Sequence, residues 1–335
     1  MAEAPQTGLP CFMFVAIVLL ACTVATEPGT AAGDETTVDT GILDLTQEYI
    51  DAPEGGIEIR TPDFEIPPYT EALRCYFGTY TGPTIGVTYV QTLESEYSHH
   101  SQLKAAPADD PHQDGDLIDC ESTDLMSVYV PLFEAAGEVK KGEEYDGNWL
   151  HLPEGIGMKL RSGQRWVLDM HYVNTTDRPI LVNNGVNLDF MAEDEVSQWA
   201  AAMQFDNGGV RVEAASSLDD SFTCPFQVDM DIFSLLGHMH TRGTSYAMDY
   251  NSADGETTRV YDIPEWDGGY HPSNPLIINY DLGEFKVKAG ESLTTSCSFY
   301  NETDVTLEFP DEMCTTVLVV TPLEDPASCI RGTYF

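Results

Sequence analysis

The chain has 335 residues, enough for two cores of ordinary size once an N-terminal leader is set aside. Its apolar and aromatic content is that of a globular protein, which excludes a chain that is disordered throughout. Aspartate and glutamate number 56 against 15 lysines and arginines, so the formal net charge is -41. Such an acidic surface repels phosphate backbones and excludes nucleic-acid binding, whereas it suits solubility in a salty or external environment.

The N-terminal segment has the pattern of an export signal. Residues 11–25 form an uninterrupted stretch of apolar and small residues that is too short to span a bilayer. Within it, residues 19–22 (LLAC) resemble a bacterial lipoprotein box whose cysteine, Cys22, becomes lipidated, although the preceding residues lack the usual positive charge. We therefore predict a leader over residues 1–22 and an acidic, flexible tether over residues 23–45. The protein is expected to be exported, either anchored to a membrane through Cys22 or secreted.

The cysteines beyond the leader indicate disulfides. There are six of them: Cys75, Cys120, Cys224, Cys297, Cys314 and Cys329. An even number in an exported chain predicts three disulfides, whose pairing the spacing alone leaves open. None of the six lies in a CxxC arrangement, so neither a zinc ribbon nor a thioredoxin-like motif is supported.

Strand patterns dominate the chain after residue 57, as short β-branched and aromatic runs separated by Gly, Pro, Asn and Asp. Examples in chain order are 84–92 (TIGVTYVQT), 165–173 (RWVLDMHYV), 292–300 (SLTTSCSFY) and 315–321 (TTVLVVT). The best helix candidate, residues 194–205, is weak. The sequence therefore predicts an all-β protein of two antiparallel, jelly-roll-like β-sandwich domains packed side by side. The domains are expected at 46–190 and 191–335, and no internal repeat is evident.

Histidines supply the most informative pattern, because five of the eight fall in two compact motifs and one strand. His99 and His100 are adjacent, His171 lies within a predicted strand, and His238 and His240 form an HxH pair. Alternation along a strand points both imidazoles of an HxH pair to one side, towards one ion. Adjacent histidines, by contrast, share an ion only at a bend or edge. Imidazole suits several transition metals, and histidines satisfied by hydrogen bonds alone are an equally reasonable interpretation.

Several motifs, taken in their order along the chain, favour metal ligands over histidines satisfied by hydrogen bonds alone. The segment AGESLTTSCSFYNETD, followed by FPDEMCTTVLVV, resembles the C-terminal domain of the copper type II, ascorbate-dependent monooxygenases. SHHSQL resembles the double-histidine motif of that family, LPEGIGMKLRSGQRWVLDMHY its strand with a His-Tyr pair, and FTCPFQVDMDIFSLLGHMH its cysteine-then-HxH segment. The resemblance covers residues 57–329 and depends on the motifs occurring in the correct order.

The resemblance implies two copper ions, one in each domain. Three ligands of each ion follow by position: His99, His100 and His171 for the first, and His238, His240 and Met313 for the second. A thioether beside imidazoles suits an ion that cycles through its reduced state. The alternative for Met313 is a methionine that fills a gap in the core.

The activity implied is hydroxylation of a C–H bond of a small organic substrate, with O2 and an external reductant such as ascorbate. In this interpretation O2 binds at the copper held by His238, His240 and Met313, the catalytic set of an oxidoreductase. The resemblance also implies the pairing of the cysteines, as Cys75–Cys120, Cys224–Cys329 and Cys297–Cys314. Asp169 and Glu312 are candidates to orient an imidazole, or are solvated acids.

The resemblance fails where the peptide-processing branch binds its substrate carboxylate, because Leu236, Thr315 and Val317 occupy those positions. A neutral or apolar substrate, or an amine, therefore fits better than a peptide. A non-catalytic copper-binding or surface-interaction protein on the same scaffold is the alternative function. The remaining histidines, His112, His151 and His271, are expected to be surface or structural residues. Two N-x-T sequences, at Asn174 and Asn301, have the pattern of glycosylation sequons.

Overall fold

A computed structural model describes residues 41–48, 50–120, 129–135, 149–266, 277–309 and 311–334, without the side chains of residues 99, 133–135 and 149. The predicted leader, including Cys22, and the tether up to residue 40 lie outside the described residues. The strands and the turn of 3-10 helix lie within the described ranges.

The structure is built from short β-strands throughout. In the N-terminal half they are β1 Leu43–Asp44, β2 Ile57–Arg60, β3 Phe64–Ile66, β4 Thr70–Thr79, β5 Ile85–Glu94, β6 Ser98–Ala105, β7 Leu117–Asp119, β8 Val130–Ala135, β9 Trp149–His151, β10 Ile156–Leu160, β11 Arg165–Asn174, β12 Ile180–Val182 and β13 Asn184–Ala192. In the C-terminal half they are β14 Gln198–Asp206, β15 Arg211–Val212, β16 Ser216–Pro225, β17 Met230–His238, β18 Gly243–Asn251, β19 Thr257–Ile263, β20 Ile278–Asn279, β21 Lys286–Val287, β22 Ser292–Asn301, β23 Leu307–Glu308, β24 Thr315–Thr321, β25 Ala327–Ile330 and β26 Thr333–Tyr334.

The predicted all-β class is confirmed, since the described residues include one turn of 3-10 helix, Glu193–Glu195, and no α-helix. The weak helix expected over residues 194–205 is wrong. Its second part is β14, which pairs with β10 on one side and with β24 and β25 on the other. Ladder hydrogen bonds and burial on both faces outweigh the helix propensity of its three alanines.

Two β-sandwich-like units result from the order of the strands. A five-stranded sheet (β7-β4-β11-β6-β8) lies in the N-terminal half and a four-stranded sheet (β16-β22-β18-β19) in the C-terminal half. The long sheet β2-β13-β5-β10-β14-β24-β17-β20 supplies strands to both halves, because β10 pairs with β14 in parallel. The smaller sheets are β1-β12-β3 and β15-β23.

Each half has a separate hydrophobic core between its sheets. In the N-terminal core, Leu168, Met170 and Tyr172 of β11 pack with residues of β5, β10 and β13. In the C-terminal core, residues of β16, β18 and β22 pack with residues of β14, β17 and β24. Phe233 of β17 belongs to the N-terminal core, so the long sheet also buries apolar surface between the halves. The domain boundary near residue 190 stays a prediction.

The six cysteines form three disulfides: Cys75–Cys120, Cys224–Cys329 and Cys297–Cys314. Disulfides persist in oxidising compartments, and the protein is accordingly an exported one. No described residue lies in a helix that is long and apolar enough to cross a membrane.

Candidate functional site

The HxH pair lies at the end of β17 and just beyond it. Leu235 faces the C-terminal core, so alternation turns His238 to the opposite face of the long sheet. Met239 returns to the core, where it is buried, and His240 follows on the same side as His238. The two Nε2 atoms are 3.1 Å apart and the ring centroids 5.0 Å apart. The sequence-based expectation that both rings lie on one side agrees with this geometry.

Two further imidazoles come from the five-stranded sheet. His171 of β11 is opposite His100 of β6, and both lie on the face away from the N-terminal core, since Met170 and Tyr172 point into that core. Their ring centroids are 5.2 Å apart. The next paired residues are Tyr172 and Ser98, so the register shifts at a β-bulge where residue 99 has no partner in the ladder. The bend expected from two adjacent histidines is therefore present.

All four rings form one cluster. The centroid of the His100 ring lies 5.3 Å from that of His238, and the centroid of His171 lies 6.2 Å from that of His240. The two motifs come from different sheets, but the end of β17 meets the outer face of β6 and β11. The expectation of two separate sites, one in each domain, is corrected by this arrangement.

Hydrogen bonds on the far side of two rings fix their orientation. The Nε2 of His171 donates to a carboxylate oxygen of Glu71 at 2.8 Å, and the Nδ1 of His240 donates to the carbonyl oxygen of Asp311 at 3.2 Å. Carboxylate and carbonyl oxygens accept, so in the neutral tautomers the Nδ1 of His171 and the Nε2 of His240 carry lone pairs. This is the arrangement that outer acceptors impose on histidine ligands of metal ions.

The cluster favours neutral imidazoles. Burial lowers the pKa of His238 well below its ordinary value, and the neighbouring His240, His171 and Lys104 lower it further. The hydrogen bond from His171 lowers the pKa of Glu71, a mostly exposed carboxylate at the edge of the cluster. His238 is therefore uncharged at neutral pH and able to act as a ligand or a hydrogen-bond partner.

Glu312 holds the loop that carries His240. Its buried carboxylate accepts hydrogen bonds from the backbone N–H groups of His240, at 3.1 Å, and of Arg242. Burial raises the pKa of Glu312 to about 7, although these backbone N–H donors act in the opposite direction. Glu312 thus orients the backbone of the HxH loop, whereas the sequence had left open a carboxylate that orients an imidazole or a solvated acid. The neighbouring Met313 is half-buried, two residues before Thr315, which is the partner of His238 in the ladder.

Asp169 is neither a solvated acid nor bonded to an imidazole of the described residues, the two alternatives that the sequence left open. It lies on the same face of β11 as His171, but its carboxylate forms an ion pair with Lys104 of β6 at 2.7 Å. Both side chains are almost fully buried. Lys104 acts electrostatically on His238, which shows that this pair lies close to the cluster.

Two of the disulfides border the cluster. Cys75 of β4 is opposite Asp169 in the ladder, and its partner Cys120 follows β7. Cys314 directly follows Met313, and its bond to Cys297 of β22 ties that segment to the four-stranded sheet. The strands that carry the histidines are therefore covalently fastened close to the rings.

The remaining histidines of the sequence lie elsewhere. His112 stacks on Phe77 with ring centroids 4.3 Å apart, and its Nδ1 lies 2.9 Å from Asp110. His151 is exposed on β9, and His271 lies outside the described residues. Sequence reasoning did not single out Glu71 or Lys104. Side-chain alternation along β4 and β6, which flank β11, could have identified Glu71 and Lys104 as neighbours. That inference requires the pairing of the strands to be known.

The donors of the cluster are only partly converged. Among the described residues, no group of three or more His, Cys, Asp and Glu side chains is positioned to hold a metal ion. The Nε2 atoms of His238 and His240 approach each other, whereas the Nε2 of His171 is directed towards Glu71.

Comparisons with known proteins find no family and only solved structures of low similarity. No family model matches the chain, and no curated protein matches it. PNGase F, a glycosylasparaginase from Flavobacterium meningosepticum, matches with a TM-score of 0.36 and 9% identity, over 84% of this chain and 99% of that chain. A peptide-N(4)-(N-acetyl-β-D-glucosaminyl) asparagine amidase matches with a TM-score of 0.36 and 10% identity, over 80% and 97%. A structure of infectious bursal disease virus matches with a TM-score of 0.21 and 8% identity, over 84% and 75%.

The identification as a copper type II, ascorbate-dependent monooxygenase is corrected, because no family model and no curated protein matches the chain. The expected hydroxylation activity, the oxidoreductase class, the two copper ions and ascorbate are therefore wrong, and nothing found supports the alternative of a non-catalytic copper-binding or surface-interaction protein. Geometry supplies the physical reason, because four of the six expected ligands, the rings of His100, His171, His238 and His240, form a single cluster and not two separate copper sites. The small-molecule substrate stays a prediction.

Proposed function

We propose that this exported protein binds one redox-inactive divalent metal ion, of which Zn2+ is the test case, at the cluster of His100, His171, His238 and His240. The observation that carries the proposal is the spacing of the four rings, whose centroids are 5.0, 5.2, 5.3 and 6.2 Å apart. A tetrahedral ion with a metal–nitrogen distance of about 2.0–2.1 Å holds the centroids of its imidazole ligands about 5 Å apart.

Three features support this proposal beyond the spacing. The Nε2 atoms of His238 and His240 are already as close as two ligands of one ion. The outer nitrogens of His171 and His240 have the acceptors that orient ligand histidines. Finally, the low pKa of His238 keeps protons from competing with the ion. Rotation of the His100 ring would complete the set, with His171 kept in place by Glu71.

His99 and Met313 belong to the same proposal as alternative ligands, each of which would take the place of one of the four rings. His99 is next to the bulge, and Met313 is level with His240 if the pairing of β17 and β24 is extended past the sheet. A thioether is a soft ligand and adds little to zinc affinity. The Met313→Leu variant should therefore bind Zn2+ as the wild type does, whereas His99→Ala should bind it more weakly if that ring is a ligand.

The test is a titration of the purified, chelator-treated exported chain with Zn2+ in a calorimeter. We expect one ion per chain, and binding at least 100-fold weaker in His238→Ala, because a preformed ligand is lost. Glu71→Gln removes the carboxylate that orients His171 and should weaken binding about 10- to 100-fold.

His151→Ala is the matched control, since it removes an exposed histidine on β9 that lies outside the cluster. The control should bind Zn2+ as the wild type does. The proposal is refuted if the wild type binds no Zn2+, Ni2+ or Co2+, or if His238→Ala binds as tightly as the control.

Attachment to a membrane through a lipidated Cys22 is a second part of the proposal, concerning location. The support is the LLAC sequence over residues 19–22, which resembles a lipoprotein box. In a bacterial host, the wild type should partition with membranes and Cys22→Ala should appear in the soluble periplasmic fraction. A wild-type chain that is soluble and carries no lipid by mass spectrometry would contradict it.

A further inference from the structure

Both N-x-T sequences of the chain are buried at equivalent places in the two halves. Asn174 is the last residue of β11 and Asn301 is the last residue of β22. Their side chains have 1% and 0% of their surface exposed, respectively. Sequence pattern alone had indicated glycan acceptors, which require an accessible amide nitrogen.

In the N-terminal half the amide of Asn174 is fully used. Its Nδ2 donates to the carbonyl oxygens of Ile66, Pro67 and Arg178 at 3.1, 2.8 and 2.9 Å. Its Oδ1 accepts from the backbone N–H and the hydroxyl of Thr176 at 2.9 and 2.8 Å. The single hydroxyl proton of Thr176 is shared between this Oδ1 and the carbonyl oxygen of Arg178, which lies 2.8 Å from the hydroxyl oxygen.

In the C-terminal half Asn301 makes the same set of bonds. Its Nδ2 donates to the carbonyl oxygens of Val212, Glu213 and Val305 at 3.2, 3.1 and 2.7 Å. Its Oδ1 accepts from the N–H and the hydroxyl of Thr303 at 3.0 and 2.7 Å. The single proton of that hydroxyl is likewise shared with the carbonyl oxygen of Val305, 3.1 Å from the hydroxyl oxygen. We call each of these networks an asparagine clasp.

The turn opposite each clasp is also the same. The strand that pairs with the clasp asparagine begins opposite it, at Thr70 in β4 and at Ser216 in β16. The residue before each strand, Tyr69 or Ala215, has a left-handed backbone with φ of 49° or 50°. Its N–H donates to the carbonyl oxygen of the clasp threonine, at 3.2 Å in the N-terminal half and 2.9 Å in the C-terminal half.

The agreement extends along the strands. On its other side, the strand of each clasp asparagine pairs with a second strand, β6 in the N-terminal half and β18 in the C-terminal half. In both halves this pairing has a β-bulge two residues before the asparagine, next to the pair Tyr172–Ser98 or the pair Phe299–Gly243. Two carbonyl acceptors of each clasp lie at the end of a short strand, Ile66 and Pro67 at β3 and Val212 and Glu213 at β15. The next strand after each clasp, β12 in the N-terminal half and β23 in the C-terminal half, pairs with that short strand. Coincidence of sequence motif, bond set, left-handed turn and bulge is not expected from two unrelated sandwiches.

We propose that the two halves are copies of one duplicated β-unit, and that Asn174 and Asn301 are its structural clasps and not sites of glycosylation. In both clasps the amide nitrogen is buried and lies within hydrogen-bond distance of three carbonyl oxygens, so a chain with a glycan on that nitrogen could not form the clasp. The copies have since diverged at the functional site. In the C-terminal copy the positions level with His171 and His100 hold Ser298 and Ser245.

The modification part is tested by secreting the full chain from a glycosylating yeast and analysing the sequon peptides of the folded fraction by mass spectrometry. We expect both native sequons to be unmodified. Asp281→Thr provides the positive control, because it makes a third sequon at Asn279, an exposed residue of β20. Glycan on Asn279 together with bare Asn174 and Asn301 supports the proposal, and glycan on either clasp in folded protein overturns it.

The duplication part is tested by thermal unfolding of protein made in a bacterial periplasm. Asn174→Asp and Asn301→Asp each replace the donating amide by an oxygen that faces carbonyl oxygens. Each should lower the midpoint by about 5–10 °C, whereas Asn279→Asp should leave it within about 1 °C. An effect at only one clasp, or at neither, would show that the two networks are not equivalent.

Discussion

The pH dependence of folding tests the environment that the structure gives to Glu312. Burial raises the pKa of this carboxyl from 4.5 to about 7 in the folded chain. A folded-state pKa above the unfolded value means that the folded chain holds the proton more firmly. The contribution of the group to stability is therefore fully present below pH 4.5 and is lost as pH rises through about 7. The difference between the two pKa values corresponds to about 3 kcal/mol.

The assay is urea unfolding of chelator-treated wild type and Glu312→Gln at intervals from pH 5 to pH 8.5. The variant lacks the titrating proton, so the wild type should lose about 2.5 kcal/mol relative to it across this range, most of the full difference. His238 acts in the opposite sense, because its lowered pKa removes stability as pH falls, but this contribution is common to both proteins and cancels. Parallel stability curves for the two proteins would refute the reasoning.

Two further predictions concern residues that support the cluster. Lys104→Met should cost about 3–5 kcal/mol of unfolding free energy, because it leaves the carboxylate of Asp169 buried without its ion-pair partner. Adding Asp169→Leu should recover part of that loss, and strictly additive costs in urea unfolding would contradict the pairing. Gly237→Ala should destabilise the chain by about 1–3 kcal/mol and weaken Zn2+ binding, since the new Cβ would lie 2.4 Å from the buried ring of Tyr246. Gly255→Ala is the control for the added methyl group, which would lie in open space at a residue with a left-handed φ of 87°. Equal Zn2+ binding by the two glycine variants would contradict the placement of His238.

Much of the fold could be predicted from the sequence because alternation and turn residues are local signals. The run RWVLDMHYV does form β11, with Leu168 and Met170 in the core and His171 on the other face. Residues 198–206 could not be assigned in this way, since their strand is defined by three partner strands from distant parts of the chain. The cysteine pairs agree with those that the resemblance to the copper family implied, although spacing alone did not determine them.

The site was predicted less well, for a physical reason. The HxH motif correctly placed His238 and His240 on one side of a strand, because that property is local. The sequence could not indicate that β17 ends against the face of β6 and β11, since this depends on how β10 and β14 join the two halves. Motifs treated as two separate sites therefore proved to be parts of one cluster, and the partners Glu71 and Lys104 were missed.

The duplicated architecture explains why the cluster needs both halves. Each copy contributes imidazoles from a different strand position: His100 and His171 come from β6 and β11, and His238 and His240 from the end of β17. Neither copy supplies more than two of the four described rings, so an ion held by all four would bind only when the halves are packed together. Free energy of ion binding would then stabilise the packing of the halves as well as each fold, by the linkage between binding and folding. The two copies share one long sheet, and histidines at their junction would link ion binding to the packing of the copies.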